Sequence, residues 1–226
     1  MKLAYLVALA LSGSLAAAVA CAQADVKSVP LPPPASSSSM QQQPSADSLA
    51  WAQKHLASWP EKTRRLAAQL VTKYGAPTEA TERQITWYAN APWKRTTLYK
   101  EEIPHSFANA HQDVLEQTVN YKVPVDKLAA LAQFNGSIVV NRTRGEMSST
   151  SDSEDTNFLA LNVADDVVNS ERDVEQARTY YAQIIRAKMI KEPEPYLQAL
   201  KFKPAANTAD PDEIAPLIRH MSGGEN

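Results

Sequence analysis

Fifteen prolines punctuate this chain, and their placement limits where a fold can form. Five of them, Pro30, Pro32, Pro33, Pro34 and Pro44, fall in one stretch with the serine run Ser36 to Ser39 and the glutamine run Gln41 to Gln43. Such a segment cannot bury enough apolar surface to offset its ordering entropy, so residues 21–47 read as a disordered tether. As a coil it spans roughly 25–30 Å, and more where proline stiffens it. Further on, Pro60, Pro92, Pro124, Pro193 and Pro195 cut the chain into short elements, because proline opens helices and turns but disrupts their interiors.

Between those breaks the apolar spacing is mainly helical. Ser45 to Ser48 precedes Leu49, Trp51, Leu56 and Trp59 as a capped helix. A second helix runs from Pro60 through Leu66, Leu70, Val71 and Tyr74 to a stop at Gly75. The segment "QITWYANAPWKRTTLYKEE" holds two runs rich in Thr, Trp, Tyr and Ile around Asn90-Ala91-Pro92, the pattern of a hairpin. Residues 113–121 and 124–134 read as two short helices, and Ser137 to Val140 as a strand before a turn at Gly145. A capping-box pattern, Ser151 with Glu154, leads into a helix bearing Phe158, Leu161 and Val167. Another helix, from Asp173 to Lys188, pairs with it through Val174, Ala177, Tyr181, Ile184 and Ile185. The expectation is an α+β fold, a mostly helical single domain with a small strand pair or sheet, over 48–203, followed by a flexible tail over 204–226.

The N-terminus has the layout of a secretory signal peptide over 1–20: Lys2, a Leu/Ala/Val run from Leu3 to Leu15 broken by Ser12-Gly13-Ser14, then small residues. A membrane-spanning helix is the alternative, since the apolar stretch covers about 20 positions. The Ser-Gly-Ser break and the lack of a basic flank after Ala24 weigh against it. Cys21 is the only cysteine. Leu15 to Cys21 resembles a bacterial lipobox, with Ala18 where leucine is commonest, which implies acylation of Cys21 and a membrane anchor. Two acyl chains anchor stably where one is marginal. Ala22, rather than an aspartate, follows the cysteine, and the same resemblance then implies sorting to the outer membrane. Ala18-Val19-Ala20 and Ala22-Gln23-Ala24 also fit ordinary signal-peptidase cleavage, which would leave a soluble periplasmic or secreted protein.

Without the signal segment the chain carries 22 basic against 25 acidic residues, so nothing marks nucleic acid as a partner. With no cysteine beyond Cys21, the domain stands without disulfides. An envelope protein or a small ligand is the expected partner.

Candidates for chemistry are few. In "EEIPHSFANAHQD", His105 and His111 offer imidazole nitrogens, and Asp113 or Glu101 a carboxylate oxygen, a donor set that suits zinc or another divalent ion. The spacing matches no standard zinc signature, and the structural reading has Asp113 capping a helix. Arg142, Arg144, Glu146, Asp152, Glu154, Asn157 and Asn162 form a second set that would make a ligand cleft if they converge, or scaffold bonds if they do not. The Ser148 to Ser153 cluster has no nucleophile elbow, and Trp51, Trp59, Trp87 and Trp93 read as core rather than sugar platforms. No cofactor is implied. The role expected is non-catalytic binding, with a metal-dependent hydrolase on His105, His111 and a carboxylate as the alternative.

From His105 to Tyr181 the chain also resembles a group of uncharacterised exported bacterial proteins. The shared string is His105-Ser-Phe107, His111-Gln-Asp113, Leu115-Glu-Gln117, Val123-Pro-Val-Asp-Lys127, Phe134-Asn-Gly-Ser137, Arg142-Thr-Arg-Gly-Glu146 and Asn157-Phe-Leu-Ala-Leu-Asn162. The resemblance implies that this stretch is a unit and brings no activity, fold or ligand with it.

Overall fold

The computed structural model of the protein describes residues 54–215. The expected signal peptide and tether, Cys21 and most of the first expected helix lie outside the described residues. Helix α1 (Glu61–Tyr74) follows Pro60 and ends at Gly75, whose φ of 78° no side-chain-bearing residue adopts without strain. It leads into β1 (Glu79–Ala80), β2 (Gln84–Tyr88), β3 (Arg95–Phe107) and β4 (Asn109–Asn120). A 3-10 turn (Val125–Lys127) and α2 (Leu128–Phe134) precede β5 (Ile138–Asn141) and β6 (Glu146–Ser151). Helices α3 (Glu154–Val168) and α4 (Val174–Met189) and a 3-10 turn (Pro195–Leu197) complete the regular elements.

The six strands form one antiparallel sheet in the order β1-β2-β3-β4-β6-β5. This corrects the expectation of a mostly helical domain with a small strand pair. Two strands account for the error. Of residues 113–121, expected as a helix, all but Tyr121 belong to β4, so Asp113 lies in a strand and caps no helix. Val114, Leu115, Thr118 and Val119 fit a helical stripe, but the pairing to β3 and β6 on both sides makes the period two. The other is β6, EMSSTS, whose single apolar residue gives no periodic signal, although Ser148, Ser149 and Ser151 are buried between β4 and β5.

Register sets the core face. Ile85, Leu98 and Leu115 stand opposite one another across β2, β3 and β4, and Val119, Met147 and Val140 do so across β4, β6 and β5. On this face one apolar cluster packs α1 through Leu70 and Val71 against Ile85, Trp87, Leu98 and Leu115. A larger cluster joins Val119 and Met147 to Phe158, Leu159 and Leu161 of α3, Tyr181 and Ile185 of α4, and Leu131 and Phe134 of α2. Trp59, Trp87 and Trp93 all lie in the core.

The seam between α1 and α3 is closed by Glu154. Its carboxylate accepts from Trp93 Nε1 at 2.6 Å and Gln117 Nε2 at 3.2 Å, and from Lys73 and Tyr74 of α1. Glu154 is thus the first residue of its helix and not part of a capping box. The capping box is at Asp173, with Gln176. Lys188 at the end of α4 reaches Ser153 Oγ, Asp155 Oδ1 and Thr156 Oγ1 at 2.8–3.1 Å, which fixes the two helices as an antiparallel pair.

Candidate functional site: an imidazole-carboxylate cluster on a strand arm

Strands β3 and β4 run on past the sheet as a two-stranded arm that reverses at Ala108, φ 58°. The register breaks between Leu98 and Ile103, where Tyr99 to Glu102 lie against Val114 alone. This bulge shifts β3 by an odd number of residues relative to β4 and so changes which side chains share a face. Beyond it His105 is paired with His111, and Ile103 with Asp113. Cross-strand partners and residues two apart point the same way, so His105, His111 and Asp113 are brought together by register alone. The arm is anchored beyond them by Phe107, which packs on Phe134 and Tyr181 at ring-centroid distances of 5.7 and 4.6 Å.

One ligand atom from each of the three residues can be chosen so that all lie within 4.8 Å of one another. His105 Nδ1 is 3.2 Å from Asp113 Oδ2, and His111 Nε2 is 3.1 Å from Asp113 Oδ1. The side chains of His111 and Asp113 are 6% and 9% exposed, that of His105 21%. Among the described residues the carboxylate has no lysine or arginine in ion-pair contact, only the two imidazoles. Ser137, just ahead of β5, donates its hydroxyl to Asp113 Oδ2 and lies 3.2 Å from His105 Nδ1. His111 Nδ1 stands 3.0 Å from the carbonyl oxygen of Asn109, a contact that places a ring proton on Nδ1, since a carbonyl oxygen only accepts. The Asp113 contact is the main influence lifting His111 above the ordinary imidazole value. Burial pushes Asp113 upward, but His111 and Ser137 outweigh it and hold the carboxyl below its usual range.

A cleft of about 340 Å³ runs between α1 and the arm, lined by Lys62, Thr63, Glu102 and Gln112 together with His105, His111 and Asp152. Glu102 is held there by Thr63 Oγ1 at 2.9 Å. Glu101, the other carboxylate weighed as a ligand, is an exposed residue of the bulge and not part of the cluster. Ser137 was not singled out by sequence, since no spacing connects it to residues 24 and more positions away.

The second set of candidates does not converge. Arg142 pairs with Asp210 and Asp212 at 2.7 and 2.8 Å, and Arg144 is exposed on the β5–β6 turn. Glu146 is buried and ion-paired with Lys94 and Arg95. Asn157 donates to the Leu115 carbonyl and to Gln117 Oε1 inside the core. Asn162 holds the segment after α4, donating to the carbonyls of Tyr196 and Ala199 and accepting from Lys201 N–H at 2.7 Å. These are bonds that join elements of the scaffold.

No family model, curated protein or solved structure matches this chain. No helix among the described residues is long and apolar enough to cross a membrane.

Proposed function

We propose that the chain is an exported envelope protein, anchored in the outer membrane through acylated Cys21, whose domain is a non-catalytic binding module. Its partner is a small ligand or another envelope component, and its recognition site is the cleft between α1 and the β3–β4 arm. The observation that carries the binding reading is the convergence of partly buried polar groups on one cleft, His105, His111 and the Thr63–Glu102 pair, where few precisely placed polar groups mark a ligand site.

The contacts around Ser137 favour binding over nucleophilic catalysis. A serine is activated by an imidazole whose second nitrogen is held by a carboxylate. Here Ser137 and Asp113 both face Nδ1 of His105, so the carboxylate competes with the hydroxyl instead of orienting the ring behind it. A metal-dependent hydrolase built on His105, His111 and Asp113 is the second reading, favoured by their clustering. It requires a base for a metal-bound water, and of the two other carboxylates in the cleft Glu102 is engaged by Thr63 and Asp152 is exposed.

The experiment for the location is fractionation of cells making the parent and Cys21→Ser. The parent is expected with the outer membrane and labelled by a fatty-acid probe, and Cys21→Ser in the soluble periplasm without label. A parent that is soluble and unlabelled overturns the anchor.

A further inference from the structure

We propose that His105, His111 and Asp113 form a binding site for one divalent first-row transition metal ion, of which zinc is the best probe. This rests on the reading of the arm as a ligand site and names the ligand class.

Four features of the cluster point to a metal. Both imidazole nitrogens approach carboxylate oxygens at 3.1–3.2 Å, yet neither contact meets hydrogen-bond geometry, and Asp113 Oδ1 is a buried oxygen with no hydrogen-bond partner among the described residues. An orphaned buried carboxylate oxygen is costly and calls for a partner. Two ligands about 2.0–2.1 Å from a tetrahedral ion stand roughly 3.3 Å apart, so His111 Nε2 and Asp113 Oδ1, 3.1 Å apart, have the spacing of neighbouring ligands, and one ligand atom from each of the three residues lies within 4.8 Å of the others.

The tautomer is also suited. A metal-bound histidine typically donates its other ring N–H to a carbonyl or carboxylate, which aims the free lone pair. His111 does this to the Asn109 carbonyl, and that carbonyl belongs to the same arm. Asp113 is oriented in the same manner, because Ser137 occupies Oδ2 and leaves Oδ1 for the ion.

Charge points the same way. A buried carboxylate whose only ion-pair contacts among the described residues are two imidazoles favours a cation between the three groups. Finally, His105 and His111 border the cleft, which supplies an access route and room for a water or ligand atom as a fourth donor. Two imidazoles and one carboxylate with an open position suit Zn(II) or Fe(II) and disfavour calcium, which takes six or more oxygens.

The test is isothermal titration of zinc into the untagged full-length chain, stripped with chelator, in a Cys21→Ser background so that no thiolate competes. One equivalent is expected to bind with micromolar or tighter affinity. His105→Ala, His111→Ala and Asp113→Asn should each weaken it at least about 100-fold, and Ser137→Ala, which acts by orienting Asp113, about tenfold. His55→Ala should bind as the parent does. Circular dichroism shows whether each variant is folded, and cobalt provides a second readout, its visible absorption reporting imidazole and carboxylate coordination in the parent. Absence of one-to-one zinc binding overturns the metal site, as does binding that survives His111→Ala and Asp113→Asn. Either result leaves the envelope location untouched, since that stands or falls on fractionation of Cys21→Ser.

Discussion

Gly145 in the β5–β6 turn has φ 62°, and a Cβ built there would lie 2.1 Å from the carbonyl carbon of Thr208, 2.3 Å from its oxygen and 2.4 Å from Ala209 N. Non-bonded carbons rest about 3.5–4.0 Å apart, so Gly145→Ala falls short by roughly 1.5 Å against backbone, which cannot rotate away. The segment at 208–210 must then leave the turn. Two hydrogen bonds go with it, Thr208 Oγ1 to the Gly145 carbonyl at 2.7 Å and Asp210 N–H to the Arg142 carbonyl at 2.9 Å. Each is worth about 1 kcal/mol. The left-handed backbone adds about 1–2 kcal/mol for a residue with a Cβ, while the exposed Arg142 pairs contribute little. The expected loss is about 3–4 kcal/mol, read as a lower urea midpoint at unchanged slope. Thr208→Ala, which deletes one bond without a clash, should cost only about 1 kcal/mol. A Gly145→Ala midpoint equal to that of Thr208→Ala would refute the steric reasoning.

Glu154→Gln keeps the shape at the α1–α3 seam and removes the charge. Burial raises the Glu154 carboxyl, but Lys73, Tyr74 and Trp93 outweigh it and hold it below its usual range. The stabilisation is therefore complete above the unfolded-state value of about 4.3 and is lost as pH falls through the lower folded-state value. The gap between parent and Glu154→Gln, about 1–3 kcal/mol at pH 7 by urea unfolding, should persist to pH 5 and close below about pH 4; a gap independent of pH would contradict this assignment. Asn162→Ala strands the Tyr196 and Ala199 carbonyls and the Lys201 N–H, and should cost about 2–4 kcal/mol with faster amide exchange at Lys201. A loss under about 0.5 kcal/mol would mean that solvent replaces these bonds.

Helix α1 was legible because Pro60 and Gly75 bound an amphipathic run, and α4 because its stripe is regular and Asp173 begins it. The sheet was not, for reasons that differ by strand. The apolar residues of β4 satisfy a period of two and a helical stripe equally, and only its neighbours decide. In β6 the buried residues are mostly serines, which fit because strands flank them on both sides, a fact absent from local composition. At the site, the residue types His105, His111 and Asp113 stood out in the sequence, but their meeting depends on the hairpin register and on the Tyr99 to Glu102 bulge. Their partner Ser137 arrives from the turn ahead of β5, without any signal in spacing.

The central claim, a metal ion held by the strand arm, is tested most directly by an anomalous-difference map at the zinc edge from crystals of the zinc-loaded full-length chain. The account predicts one peak per chain, about 2.0–2.2 Å from His111 Nε2, Asp113 Oδ1 and a ring nitrogen of His105. No peak at the arm, or zinc bound elsewhere with Asp113 Oδ1 still unpartnered, would contradict it.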